Sequence, residues 1–331
     1  QDCPPAACRT GPRSQESSVL RRSFYQDGSL LLSQTEIPAI APEEIIPFMH
    51  VDSTDFASFT RADQIRFLES EGYVVLPGIL DSDLIARLKA ELADIEMTPK
   101  SYSDYQTTSV EQPQWHSKTT AELIGYPPMI DFLNDLMGSD IVFTRGFFQR
   151  THPGSPGISM HTDGQPHGSN LFGYEGSCPR LLRVLYYLDD LTPERAPFRL
   201  IPRSHISFHM DASPYIRYRH HPAEITLVPP AGSAVLIPAL LFHGSHPNTD
   251  PQPRELIQFG YRPAWAGPVQ PVDEWPPEQL ATAPPIAQPF LQSLNTSGKA
   301  WDQPHKPPHM LTESAGIDPS RWGDARYPTT P

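Results

Sequence analysis

From residue 141 onward the chain breaks into eight short apolar runs with turn-forming residues between them. The runs cover 141–148, 158–163, 181–188, 198–201, 224–228, 234–238, 240–243 and 255–261. Runs of this length bounded by Gly, Pro, Asn and Asp read as strands, and Pro229-Pro230-Ala231-Gly232 is one such boundary. A domain built of many short strands closes as a β-sandwich or barrel.

Helical texture precedes them. Thr60-Arg61-Ala62-Asp63 has the form of a capping box, and the helix it opens carries Ile65, Phe67 and Leu68 before ending near Glu71-Gly72. Tyr73-Val74-Val75-Leu76 reads as a short strand closed by Pro77-Gly78. Asp81 then caps a second helix whose Leu84, Leu88, Leu92 and Ile95 recur at three- and four-residue spacing. Residues 98–120 are polar and read as loop. Pro127-Pro128 opens a third helix, 129–137, which Gly138 stops. Helices grouped ahead of the strands are expected to pack on one sheet.

With 331 residues and 38% hydrophobic content, the chain can bury a large core. Forty prolines are more than twice the ordinary share of about 5%. They divide the chain into a partly disordered extension (1–58), a folded domain (59–265, its β core from about 141) and a proline-rich tail (266–331) draped on the core. A net charge of −13 with no basic stripe argues against nucleic acid and anionic membranes as partners. No apolar run reaches the roughly 18 residues of a membrane span, and the opening QDCPPAACRTGPRSQESS has no secretory apolar core. Cys3, Cys8 and Cys178 make no disulfide framework, so a reducing, cytoplasmic compartment is expected. A monomer and a homodimer are both compatible with the sequence.

Within the strand region stands His161-Thr162-Asp163, followed some 80 residues later by His243 and then Arg254. Residues i and i+2 of a strand point the same way, so His161 and Asp163 can grip one metal ion. A histidine from a distant strand completes two imidazoles and one carboxylate on one face, the set used by non-haem Fe(II) oxygenases. His246 competes for the third position. His243 is favoured because it directly follows the apolar Leu240-Leu241-Phe242, whereas His246 falls in a turn. Arg254 suits a carboxylate ligand near the metal, since guanidinium binds carboxylate bidentately. It is expected to begin a strand adjacent to the one that ends in His243.

At these residues the chain resembles the phytanoyl-CoA dioxygenase family of Fe(II)/2-oxoglutarate oxygenases. The resemblance runs over about 60–263, through QIRFLESEGYVVLPGI at Gln64–Ile79, His161-Thr162-Asp163, Val184-Leu185-Tyr186-Tyr187-Leu188-Asp189-Asp190, Ile201-Pro202-Arg203-Ser204-His205 and His243-Gly244-Ser245-His246-Pro247-Asn248 with Arg254. It implies a mainly β fold with packed helices, a double-stranded β-helix (jelly-roll, cupin-like) core in which His161, Asp163 and His243 bind iron. It also implies 2-oxoglutarate and O₂ as co-substrates, and a small molecule as substrate.

The chain departs from the family in places. Leu256 stands where related oxygenases often carry a Ser two residues after the arginine, so a second contact to the co-substrate must come from elsewhere. Pro202-Arg203-Ser204-His205 and Glu194-Arg195-Ala196-Pro197-Phe198 replace glycine-bearing phrases, so phytanoyl-CoA itself is not assumed as substrate. Asp163 is retained where related halogenases have a small residue, which turns the reading toward oxygenation.

Further candidates are Gln149, Thr151, Tyr187 and Arg183 for the co-substrate, and His167, His209 and Asn248 for the substrate. Loops 98–120, 164–180 and 206–222 are expected to select it. A cupin-like zinc or nickel hydrolase or isomerase would use the triad but leave Arg254 without a task. A non-catalytic binding protein of the same fold would need neither.

Overall fold

In the computed structural model, the residues described are 49–163, 181–206, 220–268 and 271–297, all within a unit spanning Ala41–Pro331. His167, His209 and the three cysteines lie outside the described residues.

The first helix, α1 (Arg61–Glu71), begins with a complete capping box: Thr60 Oγ1 accepts from the Asp63 amide while the Asp63 carboxylate accepts from the Thr60 amide. Gly72 ends it at φ +85°, and a Cβ there would run into the His205 ring, so both backbone and packing require glycine. The strand β1 (Val74–Leu76) follows, then α2 (Ser82–Leu92), capped by the Asp81 carboxylate on the Leu84 amide. Two further helices, α3 (Lys118–Leu123) and α4 (Pro127–Met137), lead into the sheets.

Two antiparallel sheets make the jelly roll. The larger contains β2 (Thr98–Pro99), β3 (Thr107–Glu111), β4 (Ile141–Thr151), β6 (Leu182–Tyr187), β9 (Ala234–Pro238) and β11 (Arg254–Pro263) together with β1, in the order β1-β9-β6-β11-β4-β3-β2. The smaller runs β5 (Ile158–His161), β10 (His243–Ser245), β7 (Phe198–Leu200), β8 (Ile225–Leu227). Alternation splits the large sheet into two chemistries. Val184, Tyr186, Ile257 and Phe259 join Leu68 of α1, Leu88 of α2 and Leu133 of α4 in one buried cluster. Alternate positions, Arg183, Leu185 and Tyr187 on β6 with Arg254, Leu256 and Gln258 on β11, line a cavity, although Leu185, Tyr187 and Leu256 also belong to the buried cluster.

The ladder between β4 and β11 is the longest, from Arg254 opposite Thr151 to Pro263 opposite Ile141. One irregularity interrupts it: Gly260 pairs with Arg145 and Tyr261 with Phe143, so Thr144 is an extra residue, a β-bulge. A Cβ on Gly260 would lie 2.5 Å from Thr144 Oγ1 and 2.6 Å from Arg183 Nη1, so the bulge closes only over a glycine.

Three details differ from the sequence reading. Residues 98–120 are not all loop: β2 and β3 extend the large sheet and α3 follows. Thr107, Thr108 and Ser109 put hydroxyls where a strand usually shows apolar alternation, so the period-2 signal is lost. The run 240–243 is mostly a turn, with the Leu241 amide bonded to the Pro238 carbonyl, and β10 begins at His243. Arg254 does begin a strand, but β11 lies in the opposite sheet from β10, so the two residues meet across the cavity and not along a shared ladder.

After β11 the chain returns over the core. Trp275 is buried and stacked on Phe143 at 5.9 Å, and Arg262 Nη2 donates to the carbonyls of Leu294 and Thr296. The short α5 (Pro277–Thr282) lies between these contacts. Among the described residues no helix is long and apolar enough to cross a membrane.

Candidate metal centre and pocket

His161 ends β5 and His243 opens β10, and the pairing of these strands sets the two residues directly opposite one another. Their rings lie 4.4 Å apart between centroids. Asp163 follows β5 by two residues, its amide held by the Ala239 carbonyl. Its carboxylate lies 3.7 Å from His161 Nε2 and 3.9 Å from His243 Nε2. One donor atom from each residue falls within 4.8 Å of the others, close enough to share one ion.

The imidazoles are prepared for that. His161 Nδ1 lies 2.8 Å from the Ser159 carbonyl and His243 Nδ1 lies 2.9 Å from the Leu241 carbonyl. A carbonyl only accepts, so in each bond Nδ1 carries the proton and Nε2 turns its lone pair toward the shared centre. Burial, with His161 adding to it, pushes His243 down to about 4, so it is neutral at physiological pH as a metal ligand must be.

Asp163 has a strong partner behind it. Arg183 Nε donates to Oδ2 at 2.9 Å, and Gln258 Nε2 reaches the same oxygen at 3.4 Å. Burial alone would raise the Asp163 carboxyl, but the attraction of His243, which is cationic only when protonated, and of the Arg183 guanidinium outweighs it and holds the group well below the usual carboxylate range. Arg183 is pushed down to about 10 by its own burial and remains a cation at neutral pH. The centre therefore presents two imidazole nitrogens and one carboxylate oxygen, a donor set suited to Fe(II).

A cavity of about 440 Å³ opens from these ligands, within the range of small-molecule sites. Phe147, Leu185, Phe198 and Leu256 form its apolar walls. Arg254 sits at one end, its side chain 1% exposed. Its Nη1 donates to the Ala196 carbonyl at 3.0 Å, and its Nη2 to Thr151 Oγ1 at 2.9 Å and to Gln149 Oε1 at 3.3 Å. Among the described residues nothing acidic pairs with it there. Among the described residues Arg254 Nε and the Tyr187 hydroxyl have no hydrogen-bond partner although buried, and the guanidinium lies 5.9 Å from the Tyr187 ring centroid. Buried donors left unpaired are costly, so this end of the cavity fits an oxyanion.

The structure thus gathers His161, Asp163, His243, Arg254, Gln149, Tyr187 and Arg183 on one cavity, with Thr151 supporting Arg254. Asn248 requires correction as a substrate candidate: it is fully buried, and its amide donates to the carbonyls of Thr151 and Gln252, fixing the loop before β11. His246 lies elsewhere, its Nε2 2.9 Å from Thr226 Oγ1 and 3.8 Å from Glu224. Sequence reasoning missed Gln258, Arg145, Lys100 and Ser109, which also line the cavity. Gln258 could have been found from Arg254, since both occupy one face of a continuous strand.

A jelly roll whose two sheets aim two imidazoles, a carboxylate and a buried arginine into one cavity defines the class of Fe/2-oxoglutarate-dependent enzymes. The family model for phytanoyl-CoA dioxygenase (PhyH) matches residues 68–256, more than half of the chain, and the protein belongs to that family. Among solved structures it is similar to HygX from Streptomyces hygroscopicus with nickel, 2-oxoglutarate and hygromycin B bound. The identity is 20% and the TM-score 0.54, over 62% of this chain and 88% of that one. It is also similar to SnoN, a non-haem α-ketoglutarate-dependent epimerase from nogalamycin biosynthesis (20% identity, TM-score 0.52, 64% of this chain and 91% of that one). SnoK, a carbocyclase from the same biosynthesis, shows 19% identity and a TM-score of 0.52 over 64% and 87%. At such identities the likeness is one of fold. Comparison with curated proteins gives no match.

Proposed function

We propose that this protein is an Fe(II)- and 2-oxoglutarate-dependent dioxygenase that hydroxylates an unactivated C–H bond of a small molecule. The observation that carries this reading is the pairing, in one cavity, of a His-Asp-His centre with a buried arginine that has no acidic partner among the described residues. Iron and 2-oxoglutarate, when bound, supply O₂ activation with release of succinate and CO₂.

The protein's own residues do the rest. His161, Asp163 and His243 hold the metal, and the carbonyls of Ser159 and Leu241 fix the two imidazoles in the tautomer that can bind it. Arg183 and Gln258 hold the Asp163 carboxylate in place. Arg254 takes the far carboxylate of 2-oxoglutarate, with Thr151 and Gln149 setting the guanidinium plane. The Tyr187 hydroxyl is the neighbouring donor, a contact that Leu256 cannot make. Phe147, Leu185 and Phe198 keep water from the reacting centre. An epimerase and a carbocyclase share this fold, so product analysis decides how the C–H oxidation ends.

The test is anaerobic addition of Fe(II) and 2-oxoglutarate, read by the weak visible charge-transfer band of their chelate. The band is expected in the wild type, lost in His161→Ala and weakened in Arg254→Gln. Its absence from the wild type at saturation would sink the proposal.

A further inference from the structure

Building on the oxygenase reading, we infer that Arg145 is the docking point for an anionic group of the substrate, a carboxylate or a phosphate, at the end of the cavity opposite Arg254.

On β4, Thr151 stands opposite Arg254 and Arg145 stands opposite Gly260. Six residues of strand separate those rungs, about 20 Å at 3.4 Å per residue. Gln258, which touches Asp163, lies between them along β11. The metal ligands are therefore flanked by two cations along the strand direction. A five-carbon diacid anchored on Arg254 is far too short to reach Arg145 as well. Whatever Arg145 binds is a different molecule.

Arg145 is also unlike its neighbours. Arg150, Arg183 and Arg199, on the same two sheets, each have a carboxylate oxygen within 3.4 Å. Among the described residues Arg145 has no carboxylate or carbonyl partner, and its guanidinium rests 5.8 Å from the Phe147 ring centroid. It is half-buried and lines the cavity. A cation drawn partly out of water without a counter-charge is unfavourable, and that cost is recovered when an anion arrives.

The surroundings deepen the need. Gly260 is the shared cross-strand partner of Arg145 and Arg183, which places the two arginines about 10 Å apart, two strand spacings. Gly260 contributes no side chain between them. Farther along the floor, toward Arg254, Lys100 lines the same cavity with its amide on the carbonyl of Thr107, the residue opposite Thr151, and its carboxylate partner among the described residues, Glu111 at 3.9 Å, is 68% exposed to solvent. Among the described lining residues the charges are Lys100, Arg145, Arg183 and Arg254 against Asp163 alone. Fe(II) and 2-oxoglutarate cancel each other, and Arg183 answers Asp163. The loaded cavity stays positive inside a chain of net charge −13, which composition does not explain. An oxyanion held bidentately by Arg145 supplies the missing charge and fixes which carbon faces the metal.

The experiment uses the full chain loaded anaerobically with Fe(II) and saturating 2-oxoglutarate, so that Arg254 is occupied. Inorganic phosphate and acetate are titrated in separate arms, read by calorimetry and by perturbation of the chelate band. Arg145→Gln is expected to weaken binding of the preferred anion at least tenfold while its chelate band forms as in the wild type. Arg145→Lys should recover part of the affinity, and the arm with the larger loss identifies the group. If the loaded wild type binds neither anion better than Arg145→Gln does, the assignment is wrong. Loss of the chelate band in Arg145→Gln also overturns it, because the arginine would then serve 2-oxoglutarate. Absence of that band from the wild type is a separate result, and it sinks the oxygenase reading instead.

Discussion

Arg183 and Asp163 form a single unit: the arginine Nε donates to Asp163 Oδ2 at 2.9 Å while 1% of its side chain is exposed. The carboxylate is thereby presented to the two histidines by a cation that cannot swing away. Removing the arginine leaves a largely buried carboxylate whose remaining side-chain hydrogen bond, among the described residues, is the weaker Gln258 contact. Arg183→Met is expected to lower iron affinity 10- to 100-fold, the usual cost of losing a group that orients a metal ligand. It should also destabilise the metal-free protein by about 3 kcal/mol, the low end for a broken buried pair. Competition with a chromophoric chelator and urea unfolding measure the two effects. Unchanged iron affinity would remove Arg183 from the metal centre.

Arg254 depends on Thr151 and Gln149 for its orientation. Arg254→Gln removes the charge and is expected to raise the 2-oxoglutarate Kd at least 30-fold, from a loss of 2 kcal/mol or more, roughly, for a truncated buried ion contact. Thr151→Val removes one acceptor and should cost about 1 kcal/mol, some fivefold in Kd. Titration of the chelate band gives both numbers, and an equal effect of the two variants would contradict the division of labour.

Gly260→Ala places a methyl group against Thr144 Oγ1 and Arg183 Nη1. Thr144 belongs to the bulge and Arg183 is tied to Asp163, so neither can yield freely. A loss of about 1–3 kcal/mol in folding stability is expected, as for other overpacked sites. Iron affinity should fall with it, because the displaced guanidinium pulls on the Asp163 carboxylate. A stable variant with normal iron binding would show that the bulge has slack.

Burial pushes both His243 and His246 down to about 4, against an ordinary value of 6.5. Below pH 6.5 the unfolded chain takes up protons that the folded histidines refuse, so stability is complete above 6.5 and falls as the pH drops toward 4. The span corresponds to on the order of 3 kcal/mol for each histidine. The melting temperature of metal-free protein should therefore be flat from pH 7 to 8 and decline steadily from 6.5 to 4. A flat profile across the lower range would mean that neither ring is shielded as described.

The elements legible in the sequence are those whose signals are local. Thr60 with Asp63, and Asp81 before Leu84, announce helix starts through contacts three residues apart. That His161 and Asp163 would come together was legible because the i, i+2 relation is also local, and His243 stood out because it begins a polar stretch after an apolar one. What could not be read depends on which strand lies beside which. The edge strand β2 and its neighbour β3 carry hydroxyls and charges in place of apolar alternation, so no apolar pattern betrays them. Arg145 and Gln258 enter the cavity only because β4 lies beside β11 in one register, a fact about residues more than a hundred positions apart. Asn248 misled for the opposite reason. It sits close in sequence to His243, yet the chain turns its amide inward to hold Thr151 and Gln252.

The uninterrupted pairing of β4 with β11 from Thr151 to Arg145 has an evolutionary consequence. Side chains on one face of a strand recur every two residues, about 7 Å. An anchor on that floor can thus be relocated only in jumps of that size, from position 145 to 147 or 149. Relatives built on the same floor would change the length of molecule they accept in discrete increments, with finer adjustment left to the reach of the side chain at each step.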